Sequence, residues 1–146
     1  MPLQEGSPAP DFNLKATDGS SVQLSQFKGK NSVVLYFYPK DDTPGCTKEA
    51  CSFRDDISRI TAKGAVVLGV SVDDNASHKA FTEKFHLNFP LLSDVGGAVS
   101  KAYDAFRPEK GNSARVTAII DKDGKIKKLF PQVNPEGHSQ EVLQYL

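Results

Sequence analysis

Val33-Val34-Leu35-Tyr36-Phe37-Tyr38-Pro39-Lys40-Asp41-Asp42-Thr43-Pro44-Gly45-Cys46 passes from the longest apolar run of the chain, through turn-forming residues, into a helical pattern that continues to about Ala62. A continuous run of β-formers such as Val33 to Tyr38 suits a central strand buried on both faces. Pro39 to Gly45 breaks it with Pro, Asp and Gly. With Cys46 as origin and about 100° per helical residue, Ala50, Phe53, Ile57 and Ile60 all fall within roughly 40° of it. They form one apolar stripe with Cys46 at its head. Cys46 therefore stands where the carboxyl end of a buried strand meets the start of a helix. Ligand sites of α/β sheets favour that end of a strand. Helix N-termini add free N–H groups and the positive end of the helix dipole, which favour a thiolate, the nucleophilic form of cysteine.

Phe12-Asn13-Leu14 and Val22-Gln23-Leu24 alternate apolar and polar residues on either side of Asp18-Gly19, the pattern of an N-terminal β-hairpin. Val66 to Val72 reads as a second buried strand and Ala76 to Phe85 as a helix capped by Asn75. Pro90 to Leu92 is a short strand and Ala98 to Tyr103 a short helix. Val116 to Ile120 is a third main strand. It turns at Asp121-Lys122-Asp123-Gly124 into an antiparallel partner, Ile126 to Phe130. A last helix starts near Pro135 and runs over Glu141 to Leu146, with Val142, Leu143 and Leu146 inward. Alternating strands and helices imply an α/β fold with a mainly parallel central sheet and helices on both faces. The N-terminal hairpin and an antiparallel edge strand complete it. Nothing divides the chain, so residues 1–146 read as one domain.

Lys plus Arg number 18 and Asp plus Glu 18, a net charge of zero. Nothing global supplies the phosphate neutralisation that sequence-independent nucleic-acid binding needs, nor an electrostatic hold on anionic membranes. The apolar run Val33 to Tyr38 falls far short of the ~20 residues that cross a bilayer. Met1-Pro2-Leu3-Gln4-Glu5-Gly6 lacks the basic and apolar regions of a secretion signal. A cytoplasmic protein is expected, with the mature form of an organellar protein as the alternative. Two cysteines, Cys46 and Cys51, are too few for a disulfide scaffold. His78, His86 and His138 lie far from them in sequence, so no Cys–His spacing suits a metal. All three histidines are expected at the surface.

Cys51 falls about 140° around the helix from Cys46 and about 7.5 Å further along its axis. A disulfide needs Cα atoms within about 4.4–6.8 Å. The two cysteines cannot bond while the helix is regular. If they bond during function, its first turns must unwind, so the spacing predicts a redox-driven conformational switch. The plain alternative is a buried cysteine that only packs, with Cys51 a bystander.

Pro39-x-x-x-Thr43-x-x-Cys46 resembles the active-site motif of the peroxiredoxins, the thiol-dependent peroxidases. Thr43-Pro44-Gly45-Cys46-Thr47-Lys48-Glu49-Ala50-Cys51-Ser52-Phe53-Arg54 resembles their peroxiredoxin Q group, also called bacterioferritin comigratory protein. The likeness takes in Gly6-x-x-Ala9-Pro10-Asp11-Phe12 and Arg115-x-Thr117 leading into Ile119-Ile120-Asp121. It implies a thioredoxin-like fold, no cofactor, and reduction of hydrogen peroxide and organic hydroperoxides. It also implies recycling by thioredoxin or a related dithiol protein, and a monomer. By position, Cys46 is the peroxidatic cysteine and Cys51 the resolving one, with Thr43, Pro39 and Arg115 completing the active site. Thr43, Gly45, Cys46 and Arg115 would surround the peroxide. The Thr43 hydroxyl, the Cys46 N–H and Arg115 are expected to donate to the departing oxygen. Pro39, which has no N–H, walls the pocket, and Glu49 orients Arg115. Ser113 and Ala118 depart from the larger apolar residues common in the family, and Phe130 to Gly137 is not a close match.

Several rivals share the fold class. Thiol–disulfide oxidoreductases use a Cys-x-x-Cys spacing, which the four residues between Cys46 and Cys51 do not give. A glutathione-peroxidase-like enzyme would carry a Trp, and the chain has none. A copper chaperone would need a histidine near the cysteines. A redox sensor or holdase using the Cys46–Cys51 switch differs from an enzyme in reacting once rather than turning over.

Overall fold

The computed structural model describes residues 3–146. Strands β1 (Asn13–Ala16) and β2 (Ser21–Gln23) form the N-terminal hairpin. Leu14 pairs with Val22, and Gly19 at φ +87° makes the turn. A 3₁₀ turn, Leu24–Phe27, replaces the end of the second expected strand. Then follow β3 (Ser32–Phe37), α1 (Pro44–Ala62), β4 (Ala65–Ser71), α2 (Asn75–Phe85), β5 (Leu91–Ser93) and α3 (Ala98–Ala102). The chain closes with β6 (Phe106–Arg107), β7 (Asn112–Ser113), β8 (Val116–Ile120), β9 (Ile126–Phe130) and α4 (His138–Leu143). The sequence gives no clear sign of the small β6–β7 hairpin. The cap of α2 is Asp74, whose side chain accepts from the Ser77 N–H, one residue before the Asn75 expected.

The main sheet has seven strands in the order β2-β1-β5-β4-β3-β8-β9. Its parallel part is confined to β3–β4 and β4–β5. β8 runs antiparallel to β3, and β9 to β8, so the antiparallel share is larger than the single edge strand expected. The N-terminal hairpin joins the same sheet through an antiparallel β1–β5 contact.

β3 sits inside the sheet, and its alternation divides the core in two. Val34, Tyr36 and Tyr38 face Cys46, Ala50, Phe53 and Ile60 of α1, Phe81 of α2 and Val142 of α4. Val33, Leu35 and Phe37 face the other layer, with Phe12, Leu24, Tyr103 and Ala105. The apolar stripe of α1 is thus its buried face, and Ile57 is packed at its margin. Burying each such large apolar side chain contributes about 1.5–3 kcal/mol. Two layers of this size hold β3, and the loop leaving it, from both sides. No helix among the described residues is long and apolar enough to cross a membrane.

Candidate active site

The loop Tyr38 to Thr43 leaves β3, and α1 begins at Pro44 with Thr43 as its N-cap. Proline suits this first position because its missing N–H would have had no intrahelical partner. The first helical bond is made by the Thr47 N–H to the Thr43 carbonyl, 2.8 Å. Gly45 and Cys46 precede it, so their N–H groups have no partner within the helix, and no N-cap side chain accepts from them. The thiol is thus set in the first turn, buried at 1% exposure.

Arg115, just before β8, brings its Nη1 to 3.4 Å from Cys46 Sγ and 3.2 Å from Glu49 Oε1. Gly45 makes this approach possible. A Cβ there would lie 2.8 Å from Arg115 Nη2 and 3.8 Å from Pro135 Cγ. Partial burial works against the guanidinium charge, yet Cys46 and Glu49 outweigh it and raise the Arg115 pKa. Glu49 is fully buried. Burial pushes its carboxyl up to about 7, against the pull of Arg115. Its Oε2 has no hydrogen-bond partner among the described residues.

Thr43 Oγ1 donates its one proton to the Lys40 carbonyl, 3.1 Å. Pro39 lies half-buried at the start of the loop. Cys51 is a half-buried free thiol further along the unbroken α1. The structure therefore gathers Cys46, Gly45, Glu49 and Arg115 into direct contact and keeps Cys51 apart from them by helix geometry.

Two histidines correct the sequence reading. His78 is completely buried and contacts Asp41, with Nδ1 2.7 Å from Oδ2. His138 is 1% exposed, not a surface residue of the last helix. It lies between Thr117 Oγ1 and Glu141 Oε1, both 2.9 Å away, and edge-on to Phe53 and Phe130. Burial holds its pKa down. His86 is exposed and left-handed at the end of α2. Ser113, the departure from a larger apolar residue, is buried and satisfied by Ser100 Oγ at 2.5 Å. Ala118 is buried at the centre of β8.

Asp41, Asp73 and His78 bring one possible metal-ligating atom each within 4.8 Å of one another. Asp41 Oδ2 already receives His78 and Ser77, and Asp73 Oδ2 receives Ser71 Oγ and the Asp41 N–H. The cluster closes on itself as a hydrogen-bonded network.

A strand–loop–helix motif that points a thiol at an arginine, on a sheet of this order, marks a thioredoxin-like thiol enzyme. The chain belongs to the AhpC/TSA family, which matches residues 6–129. Within it, peroxiredoxin Q of the chloroplast of Suaeda salsa is 46% identical over 99% of this chain and 68% of its own. Among solved structures, the peroxidoxin BcpB of Mycobacterium tuberculosis superposes with a TM-score of 0.92 at 33% identity, covering 98% of this chain and 96% of that one. The bacterioferritin comigratory protein of Xanthomonas campestris, described by its alkyl peroxide reduction activity, gives 0.88 at 31%, covering 97% and 96%. The protein is a peroxiredoxin-type enzyme, a thiol peroxidase.

Proposed function

We propose that the chain reduces hydrogen peroxide and organic hydroperoxides by a two-cysteine cycle within one domain, residues 1–146. The observation that carries this reading is the contact of Arg115 Nη1 with Cys46 Sγ, 3.4 Å, in the first turn of α1. The guanidinium and the free N–H groups of the first turn stand beside the Cys46 sulfur, whose thiolate is the nucleophile. The thiolate attacks one peroxide oxygen in line with the O–O bond. A sulfur–oxygen bond forms, the O–O bond breaks, and the leaving oxygen departs as alkoxide or hydroxide and takes up a proton. Arg115 and the Cys46 N–H steady that charge. Thr43 Oγ1, its own proton held by Lys40, accepts from the hydroxyl of the incoming peroxide. Pro39 keeps competing N–H donors out of the pocket, Gly45 leaves room for Arg115, and Glu49 orients it.

Cys46 is then a sulfenic acid. The first turns of α1 unwind, the Cys51 thiol attacks the sulfenic sulfur, and water leaves as the disulfide forms. Thioredoxin or a similar dithiol protein restores both thiols by exchange. A pair that cycles between dithiol and disulfide fits a reducing compartment such as the cytoplasm. The protein acts as a monomer, without metal, nucleic acid or membrane.

A thioredoxin-coupled NADPH assay with hydrogen peroxide tests this on wild type, Cys46→Ser and Cys51→Ser. Wild type should turn over many times, Cys46→Ser not at all, and Cys51→Ser poorly. Full activity of Cys51→Ser would remove Cys51 from the cycle. Gel filtration of both redox states checks the monomer, and a stable oligomer in each would refute it.

A further inference from the structure

Pro39 and Thr43 stand at the two ends of a short loop, and between them Asp41 is buried, its side chain 3% exposed. Three side chains hydrogen-bond to that one carboxyl group. Tyr38 Oη reaches Oδ1 at 2.6 Å, and Ser77 Oγ and His78 Nδ1 reach Oδ2 at 2.8 and 2.7 Å. The backbone N–H of Asp41 donates to Asp73 Oδ2, 2.9 Å, which Ser71 Oγ also holds at the end of β4. His78 passes the tie onward, with Nε2 3.0 Å from the Leu92 carbonyl of β5. A carbonyl only accepts, so Nε2 carries a hydrogen. The middle of the loop is thereby fastened to α2, β4 and β5, none of which carries Cys46.

The loop has reason to move if released. Asp42 adopts a left-handed φ of +58°, which costs a non-glycine residue about 1 kcal/mol or more. Among the described residues its own side chain is tied only to exposed Lys84. Thr43 Oγ1 closes back on the Lys40 carbonyl, the residue before Asp41. Thr43 is thus tied to this loop as well as to the first turn of α1.

We propose that Asp41 and His78 are positioning residues for peroxide reduction: their buried pair holds the Pro39–Thr43 loop in register with the Cys46 sulfur. The proposal rests on Cys46 being the thiol that peroxide attacks. A displacement of 1 Å at such a site costs about a hundredfold in rate.

The test uses full-length protein in a Cys51→Ser background, so that only Cys46 reacts. Two rate constants are measured on each variant: oxidation by hydrogen peroxide, in competition with a haem peroxidase, and alkylation by iodoacetamide. Alkylation needs the Cys46 thiolate but not the loop. His78→Gln keeps an amide near the Nε2 position and loses the donor to Asp41, whereas His78→Asn keeps a donor near Nδ1. His78→Gln should slow peroxide oxidation by about tenfold or more while alkylation stays within about twofold, and His78→Asn should stay close to the parent. Equal slowing of both reactions, an unchanged peroxide rate in His78→Gln, or equal loss in the two variants would overturn the proposal. If His78→Gln does not fold, Ser77→Ala replaces it, with a loss of about threefold or more confined to the peroxide reaction expected and no loss overturning the proposal. A parent that alkylates but ignores peroxide would instead refute the peroxidase role of Cys46, and the proposal with it.

Discussion

The two segments that flank Cys46 are held in opposite ways. Before it, the Tyr38–Thr43 loop has its buried carboxylate, Asp41, bonded by three side chains. After it, the second and third turns of α1 bury Glu49, whose Oε2 has no partner among the described residues. Hydrogen bonds from Ser139 of α4 reach α1 at Ser52 and Asp56. Ser139 Oγ donates to Asp56 Oδ2, 2.6 Å, and pairs with Ser52 Oγ at 2.5 Å. Stability varies along a chain, and segments that must open are drawn from its weaker part. The loop is built to stay, and the helix stores an incompletely satisfied burial in the stretch that the proposed two-cysteine cycle would unwind. Unwinding would rehydrate Glu49 and relieve that cost.

The largest expected effect comes from Arg115, which serves both segments. Arg115→Gln should lower the second-order rate of peroxide reduction by about 10²- to 10³-fold, the usual loss of a charge-stabilising donor. The coupled assay reads it, and a loss under about tenfold would separate Arg115 from the chemistry.

Next is the pH dependence of Glu49. Below its ordinary 4.5 the carboxyl is protonated in both states. Between 4.5 and about 7 the unfolded chain alone releases the proton, so stability falls with rising pH and then levels off. The two values correspond to a penalty on the order of 3 kcal/mol above pH 7. Urea denaturation from pH 4.5 to 8 should show that decline in wild type and a flatter profile in Glu49→Gln. Parallel profiles would place the weakness of α1 elsewhere.

Ser139→Ala should cost about 1.5–3 kcal/mol, the range for a hydrogen bond to a carboxylate. It should also speed closure of the Cys46–Cys51 disulfide after peroxide, followed by quenched-flow alkylation. Destabilisation without faster closure would mean that α4 does not restrain the unwinding turns. The smallest effect belongs to the exposed Lys84–Asp42 pair on the loop side. Lys84→Ala should change stability by less than about 0.5 kcal/mol. A larger change in urea denaturation would show that the loop depends on its surface as well as on Asp41.

The sequence carries the strand–loop–helix unit clearly, because Val33 to Tyr38 is unbroken and the stripe from Cys46 to Ile60 repeats at helical spacing. Glu49 falls about 60° from Cys46, outside that stripe, so its complete burial is not legible there. The direction of β8 is not, because periodicity is blind to direction, and the β6–β7 hairpin that reroutes the chain has only two residues per strand. The buried histidines are hidden for another reason. Asp41, which His78 meets, lies 37 residues away, and Thr117, the buried partner of His138, lies 21 away. Local pattern reads a polar residue on a short helix as solvated unless its distant partner is known. Asp41, inside the motif itself, looks like a turn residue for the same reason.

The most direct test of the two-cysteine cycle is intact mass after one equivalent of hydrogen peroxide on wild type, Cys46→Ser and Cys51→Ser. The predicted result is a wild type that loses two hydrogens as its disulfide forms, a Cys51→Ser variant that gains one oxygen, and a Cys46→Ser variant that does not change. A Cys46→Ser protein oxidised as readily as wild type, or a wild type that gains oxygen without closing a disulfide, would contradict it.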